Sequence, residues 1–344
     1  MTRKSSSVTI RDVARQAGVS VATISRYINQ NAPVSDEVAG RISQVMLDLN
    51  YSPHAAARQL ATRRTRAVGL LLTDMYNDFF APLFSGIETV VGENKYSLLV
   101  ATYKPALRQE LPLPIGPHNT DGLLVFADTL DEEQLTQISL SQFPLVLIHR
   151  TPPPHLSIPS VTVENKAATR NIVSHLIEVH GRRRILFMRG PKNQEDSHWR
   201  EMGYHAALAA HGLPVDEQLF LTGEFEHDIA RKVLVDYFTQ GHTDFDAIFT
   251  GDDDSAIGVL AALKELGLRV PEDVSVAGFD DSRLSPFLDP PLTTVRAPTE
   301  EVGRVAARQL FNLLNGQPAE AITLLATEPV LRRSCGCPYG NSKS

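Results

Sequence analysis

The chain has 344 residues, 42% of them hydrophobic, with 33 Lys/Arg against 40 Asp/Glu and a net charge of −7. That length exceeds one typical domain, the apolar content supports large packed cores, and no apolar run approaches the ~20 residues of a membrane span. Residues 1–66 hold ten Lys/Arg and four Asp/Glu, net +6, which leaves 23 and 36, net −13, for the remainder; a basic head on an acidic body confines polyanion contact to the head and disfavours nucleic acid wrapped around the body.

Met1 to Ser7 is basic and serine-rich without the apolar core of a signal peptide, so the expected location is the cytoplasm. Thr9 stands three residues ahead of Asp12, and the pair can cap a helix whose small apolar face is Val13, Ala14 and Ala17. Gly18 permits a tight turn, and Ser20 is placed to cap a second helix starting at Val21. On that helix Ile24, Tyr27 and Ile28 share one side, while Ala22, Ser25, Arg26 and Asn29 share the other. A slim helix with an apolar back and a hydrogen-bonding front fits the major groove, and Arg26 is long enough to reach a guanine edge. The plain alternative is a helical hairpin of some core. Ser35 opens a third helix, and Val38, Ile42, Val45, Met46 and Leu49 supply the stripe that closes a three-helix core. After Ser52-Pro53, three alanines favour helix, yet Leu60 is the one large apolar side chain among Arg58, Arg63, Arg64 and Arg66. So marginal a helix suits a minor-groove wedge that folds on DNA, or else a basic linker.

The run from Thr9 to Thr62 resembles the headpiece of the lactose/galactose repressor (LacI/GalR) family, in the order T-I-x-D-V-A-x-x-A-G-V-S-x-A-T-[VI]-S-R, then N-Y-x-P, then a hinge leucine. The resemblance implies base reading by Val21, Ala22 and Arg26. It implies phosphate or helix anchoring by Thr9, Thr23, Ser25 and Asn29. Leu60, with Arg58 beside it, would insert at the central step of a palindromic operator.

From Ala67 the pattern changes. AVGLLLT, YSLLVA, GLLVF and PLVLIHR read as strands, with helices near Phe79–Asn94 and Asp131–Ser139 between them. A second series has a helix near Lys166–Val179, strand RRILFM, helices near His198–His211 and Ile229–Gln240, strand DAIFT, a helix near Asp254–Gly267 and strand VSVAGF. Apolar strands separated by helices imply parallel sheets covered on both faces, and two series imply two doubly wound lobes with any ligand between the strands' carboxyl ends. This body resembles the sugar-binding core that the family shares with periplasmic binding proteins, which implies three crossings between lobes, placed near Val163–Glu164, Thr293–Val295 and Ala326–Glu328.

The expected fold is therefore α/β: an N-terminal three-helix helix-turn-helix headpiece plus hinge helix, joined to a two-lobed periplasmic-binding-protein-like core of doubly wound parallel sheets. The expected domains are a headpiece over 1–51, a hinge helix and linker over 52–66, an effector-binding and dimerisation core over 67–337, and a disordered tail over 338–344. One lobe of the core takes about 67–163 plus 294–326, the other about 164–293 plus 327–337. Pro105, Pro112, Pro114 and Pro117 leave at most one turn, around Leu107–Leu111, where relatives usually have a full helix.

The loops after the strands carry the candidate ligand residues. Asp74-Met75-Tyr76-Asn77-Asp78-Phe79-Phe80 is similar to the family's D-x-x-N-P-F-F loop, with Asp78 in place of the usual proline. Phe79 and Phe80 offer ring faces to the C–H side of a sugar, although paired phenylalanines at a helix start suit a core equally well. The resemblance implies that Arg200, in SHWREMGY, clamps ligand hydroxyls, that Phe225, in TGEFEHD, covers a sugar ring, and that Asp280, in GFDDS, binds hydroxyls. Asp74, Tyr76, Asn77, His149 and Asp252 complete the expected effector site. Two of these depart from the pattern: Asp252 stands where relatives usually have Asn, and His149 where they often have Asp. Those departures leave open a sugar, an acid-bearing sugar derivative or another class of ligand. Asp253 reads as an N-cap and Asp281 as a loop cap.

The functional expectation is a sequence-specific transcriptional regulator, a repressor of carbohydrate-metabolism genes that binds a palindromic operator in double-stranded DNA as a homodimer under a sugar-like effector. A corepressor-dependent regulator with a non-sugar ligand is the alternative within the family. A hydrolase using Asp252, Asp253, Asp254, Asp280 and Asp281 around Mg²⁺ or Ca²⁺, helped by His149 or His198, is the enzymatic alternative, but HExxH, GxSxG and Walker patterns are absent. A sugar receptor suits the body and is opposed by the headpiece. No catalytic residue, cofactor, metal or membrane contact is expected. Cys335 and Cys337 read as reduced thiols, because zinc would need further Cys or His close by in space. After Leu331 only RRSCGCPYGNSKS follows, without heptads, which favours a dimer over a tetramer.

Overall fold

Capping decides where the first helices begin. In the computed structural model, which describes residues 8–29, 32–51, 64–76, 78–104 and 112–338, α1 spans Ile10–Ala17, α2 Val21–Asn29 and α3 Asp36–Asp48. The Thr9 amide and hydroxyl both donate to Asp12 Oδ2, at 3.0 and 2.7 Å. Gly18 ends α1 at φ +66°, a left-handed conformation that costs glycine little. Ser20 Oγ accepts from the Thr23 amide at 3.1 Å and so starts α2. Val13, Ala14, Ala17, Ile24, Ile42 and Val45 are buried together, with Val38, Met46 and Leu49 packed at their margin. The expected hinge helix with Arg58 and Leu60, the turn at Leu107–Leu111, and Asn77 lie outside the described residues.

The chain divides into two units between Thr65 and Arg66. In the second unit the first strands and helices are β1 Ala67–Leu72, α4 Phe80–Glu93, β2 Ser97–Thr102, β3 Gly122–Phe126, α5 Glu132–Leu140, β4 Leu145–Ile148 and β5 Ser160–Val163. With β11 (Ile322–Leu325) these strands form a parallel sheet in the order β11-β5-β4-β3-β1-β2. β1, β3 and β4 are buried along their whole length, as strands covered on both faces must be. One covering pair is α4 and α10 (Thr299–Leu314). A Cβ on Gly86 would overlap the Glu300 carbonyl oxygen, and one on Gly303 the Leu83 carbonyl oxygen, so two glycines let these backbones meet.

The second series comprises α6 Asn165–Glu178, β6 Ile185–Arg189, α7 Glu195–Ala210, β7 Phe220–Thr222, α8 His227–Thr239, β8 Ala247–Thr250, α9 Asp253–Glu265 and β9 Ser275–Ala277. Its strands form a parallel sheet in the order β7-β6-β8-β9. The chain passes from the first sheet to α6 after Val163, returns through β10 (Thr294–Arg296), and leaves again through β12 (Glu328–Val330). β10 and β12 pair antiparallel, with Thr294 opposite Val330.

Periodicity alone misses β5, β7, β10, β11, β12 and α10, and it starts α7 at His198 where the helix begins at Glu195. The missed strands are three or four residues long, too short to show a period. In α10 the buried face sets Thr299, Gly303, Ala306, Ala307 and Gln309 among Val302, Leu310 and Phe311, so small and polar residues dilute its apolar signal. No described helix is long and apolar enough to cross a membrane.

Candidate functional site

Burial of Ile24 fixes which side of α2 faces outward. Val21, Ala22 and Arg26 are exposed, and Thr23 and Ser25 are half-buried at the edge of that face. The Thr23 hydroxyl lies 2.9 Å from Ser20 Oγ, so Thr9 and Thr23 both hold helix starts. Asn29 closes α2. The outward face is small apart from one guanidinium, the shape that a helix entering the major groove requires.

In the second unit, α7 buries Arg200 against the loops that follow the second sheet's strands, where its side chain is 3% exposed. Its Nε donates to Asn165 Oδ1 at 2.8 Å, one Nη donates to the Gly251 carbonyl, and Nη2 lies 3.4 Å from Asp280 Oδ1. The guanidinium stands 3.8 Å over the Phe279 ring and 5.6 Å from that of Phe225. Gly190 and Gly251 make room for the Phe225 ring, which a Cβ at either position would strike. From the other sheet comes His149, whose Nδ1 lies 2.7 Å from Asp196 Oδ2 and whose ring packs 5.6 Å from Phe79. His149, Phe225 and Asp280 have φ of +57°, +59° and +110°. Left-handed backbone costs a side-chain-bearing residue about 1–3 kcal/mol and concentrates where function dictates conformation.

Electrostatics set these acids apart. Burial raises the Asp280 carboxyl well above its ordinary range, and Arg200 offsets only part of that. Burial raises Asp252 to about 6 although its Oδ1 accepts from the Ser255 amide. Burial also works to raise Asp196, but His149 and Arg200 outweigh it and hold the carboxyl low. Of the expected ligand residues, Phe79, His149, Arg200, Phe225, Asp252 and Asp280 are thus linked in one cluster, Phe79 to His149, His149 through Asp196 to Arg200, and Arg200 to Phe225, Asp252 and Asp280. Phe80 does not: it is 5% exposed, with its ring in the core against Phe84 and Phe126. Tyr76 is 88% exposed on the loop, and Asp74 is half-buried with its carboxylate 3.4 Å from the Thr73 hydroxyl. A separate hollow lined by Glu164, Ala168, Asn171, Val295, Ala326 and Pro329 lies at the crossing strands and contains none of these residues.

Residues 9–54 match the family described as bacterial regulatory proteins, lacI family, and residues 173–335 match a periplasmic binding protein-like domain. Catabolite control protein A of Priestia megaterium is 33% identical over 91% of this chain and 95% of its own length. The chain belongs to the LacI family. It is a DNA-binding transcriptional regulator, not an enzyme. Among solved structures, a complex of the transcriptional regulator CelR with cellobiose matches at a TM-score of 0.71 and 29% identity, covering 95% of this chain and 99% of that one. The lac repressor dimer bound to operator and the anti-inducer ONPF matches at 0.82 and 25%, covering 96% and 99%.

Within this LacI-family body, sequence reasoning overlooked Asn165, Glu195, Asp196 and Phe279. Glu195 and Asp196 form the first turn of α7, ahead of the expected helix start, and both reach the opposite lobe. Glu195 accepts from the Thr151 amide at 2.6 Å and from its hydroxyl, beside the His149–Asp196 contact. Acidic residues before a helix were the available signal, since they favour its positive end. Each crossing is also tied to the cleft. Asn165 opens α6 and donates to Asp196 Oδ1 at 2.8 Å; the Asp280 amide donates to the Val295 carbonyl at 2.8 Å; Arg332 donates to Asp281 Oδ1 at 2.7 Å.

Two acidic assignments change. The N-cap of α9 is Asp252, not Asp253. Asp281 is an ion-pair partner of Arg296 and Arg332 rather than a loop cap. Asp253 is a buried brace whose carboxylate accepts from Ser282 N, Ser285 Oγ and Thr294 Oγ1 at 2.8, 2.5 and 2.6 Å, and burial pushes it up to about 7. The folded body therefore holds this proton more tightly than the unfolded chain, whose value is 3.8. The resulting stability is complete below about pH 4 and is lost as pH rises through the folded value. Asp253→Asn, which cannot titrate, is expected to flatten the fall in urea-unfolding free energy between about pH 4 and 7; identical pH profiles for the two proteins would refute the brace's titration.

Proposed function

We propose that this chain is an operator-binding repressor whose affinity for DNA is set by a small polyhydroxylated ligand of the sugar class held between the lobes of the body. One observation carries the ligand half of this reading: the buried Arg200–Asp280 pair beside the rings of Phe225 and Phe279, with Phe79 packed on the neighbouring His149. Neighbouring hydroxyls donate to a carboxylate and accept from a guanidinium, while aromatic faces take the C–H side of the ring. His149 Nε2 is buried without a hydrogen-bond partner among the described residues, so an acidic or hydroxyl substituent of the ligand would satisfy it. The cellobiose-bound relative supports a sugar, and the operator-bound relative supports the DNA half.

One headpiece reads too few base pairs for specificity, so two copies would share a twofold operator. The edge strand β2 leaves Leu99 and Val100 exposed, a surface that a second copy would cover. Leu60, with Arg58 beside it, would wedge into the minor groove between the two reading helices. The site of action is the cytoplasm, with the DNA. Ligand closure would act through the three crossings, since each is bonded to a cleft residue or its neighbour.

The test uses the full-length chain in a thermal-shift screen of neutral sugars, sugar acids and sugar phosphates, followed by anisotropy titration of palindromic duplexes with each compound that binds. One class is expected to raise the melting temperature and to change operator affinity by about tenfold or more. Weaker DNA binding identifies an inducer and tighter binding a corepressor. No shift with any compound, together with no preference for a twofold duplex over random DNA, would overturn the proposal.

A further inference from the structure

Four side chains at the carboxyl end of the body converge without any part in the ligand cleft. His175 lies in the last turn of α6 and His180 just beyond it, while Cys335 and Cys337 belong to the turn that follows β12. His175 and Cys335 are 160 residues apart in the chain, yet the four ligand atoms lie within 4.8 Å of one another. His175 Nε2 is 3.2 Å from His180 Nε2, 3.3 Å from Cys337 Sγ and 3.8 Å from Cys335 Sγ. Cys337 Sγ is 3.4 Å from His180 Nε2.

Hydrogen bonding does not account for this packing, because one imidazole nitrogen has either one proton or one lone pair and here faces three groups. A tetrahedral zinc ion with bonds of about 2.3 Å to sulfur and 2.0–2.1 Å to nitrogen has edges of roughly 3.4 Å between nitrogens and 3.6 Å between nitrogen and sulfur. The four separations given above lie within about 0.3 Å of those edges, and the remaining two pairs are within 4.8 Å.

We propose that His175, His180, Cys335 and Cys337 form a structural Cys₂His₂ zinc site. All four positions are protein ligands, so the site is closed to substrate and its role is to hold the segment after β12 against α6. Gly336, at φ +110°, turns the chain between the two cysteines, and a Cβ there would press 3.0 Å from His180 Nδ1. Thr293 Oγ1 lies 3.0 Å from Cys335 Sγ, an outer contact of the kind that orients a ligand thiolate. The clamped segment also carries Arg332, whose guanidinium holds Asp281 beside the cleft residue Asp280. Zinc binding would release the two thiol protons to solvent as the thiolates coordinate.

The full-length chain, purified under reducing conditions without a histidine tag, is analysed for metal by mass spectrometry and for tetrahedral cobalt(II) by visible absorption after titration of the demetallated protein. About one zinc per chain is expected, with thiolate-to-cobalt charge-transfer bands. Cys337→Ser and His180→Gln are each expected to lower zinc content at least tenfold and to abolish those bands, with far-ultraviolet circular dichroism unchanged. A chelator is expected to lower the melting temperature of the parent and not of the variants. Absence of stoichiometric zinc and of the cobalt spectrum, a Cys335–Cys337 disulfide under the same reducing conditions, or unchanged metal content in both variants would overturn the site.

Discussion

Arg200→Ala is expected to lower the unfolding free energy of the body by about 3–5 kcal/mol and to abolish any ligand response. The magnitude follows from what the guanidinium does: it is a buried cation bonded to Asn165, the Gly251 carbonyl and Asp280, and it stands over Phe279. Removing one partner of a buried pair leaves the other charge uncompensated, which costs far more than the pair is worth against an apolar substitute. Protonation of Asp280, whose carboxyl burial already raises, would soften the loss, so the loss should shrink as pH falls. Asp280→Asn separates ligand binding from folding, since Arg200 keeps Asn165, Gly251 and its 3.9 Å approach to Asp196. That variant is expected to melt close to the parent and to lose the ligand-induced shift. A preserved shift in Asp280→Asn places the ligand outside this cleft; a stability loss under 1 kcal/mol in Arg200→Ala means the guanidinium is not the keystone its contacts indicate.

Arg26→Ala is expected to weaken operator binding by about 1–3 kcal/mol per half-site, the worth of one bidentate contact to a guanine edge. Over two half-sites that is roughly 30-fold or more in affinity. Arg26 is exposed on α2 opposite the buried Ile24, so truncation leaves the three-helix core intact. Binding to random duplex should change little, because only one positive charge is lost. Competitive anisotropy titration against operator and random DNA at fixed salt reads both quantities. Equal losses on the two duplexes would assign Arg26 to phosphate contact instead.

Much of this protein was legible before folding because the relevant forces act within a few residues. The Thr9–Asp12 and Ser20–Thr23 caps, the left-handed Gly18 and the i, i+3, i+4 spacing around Ile24 are local, so the reading helix and its outward face could be placed from the chain alone. The long buried strands showed as unbroken apolar runs for the same reason. Family motifs pointed to Arg200, Phe225 and Asp280, although no local rule required these residues to meet. Tertiary structure alone decided the rest. It sent Phe80 into the core, made Asp252 the cap and Asp253 the brace, and brought Asp196 from one lobe to His149 on the other. It also carried Cys335 and Cys337 to two histidines at the end of α6. Such contacts depend on how sheets and crossings stack across more than a hundred residues, and a linear pattern contains no period that reports them.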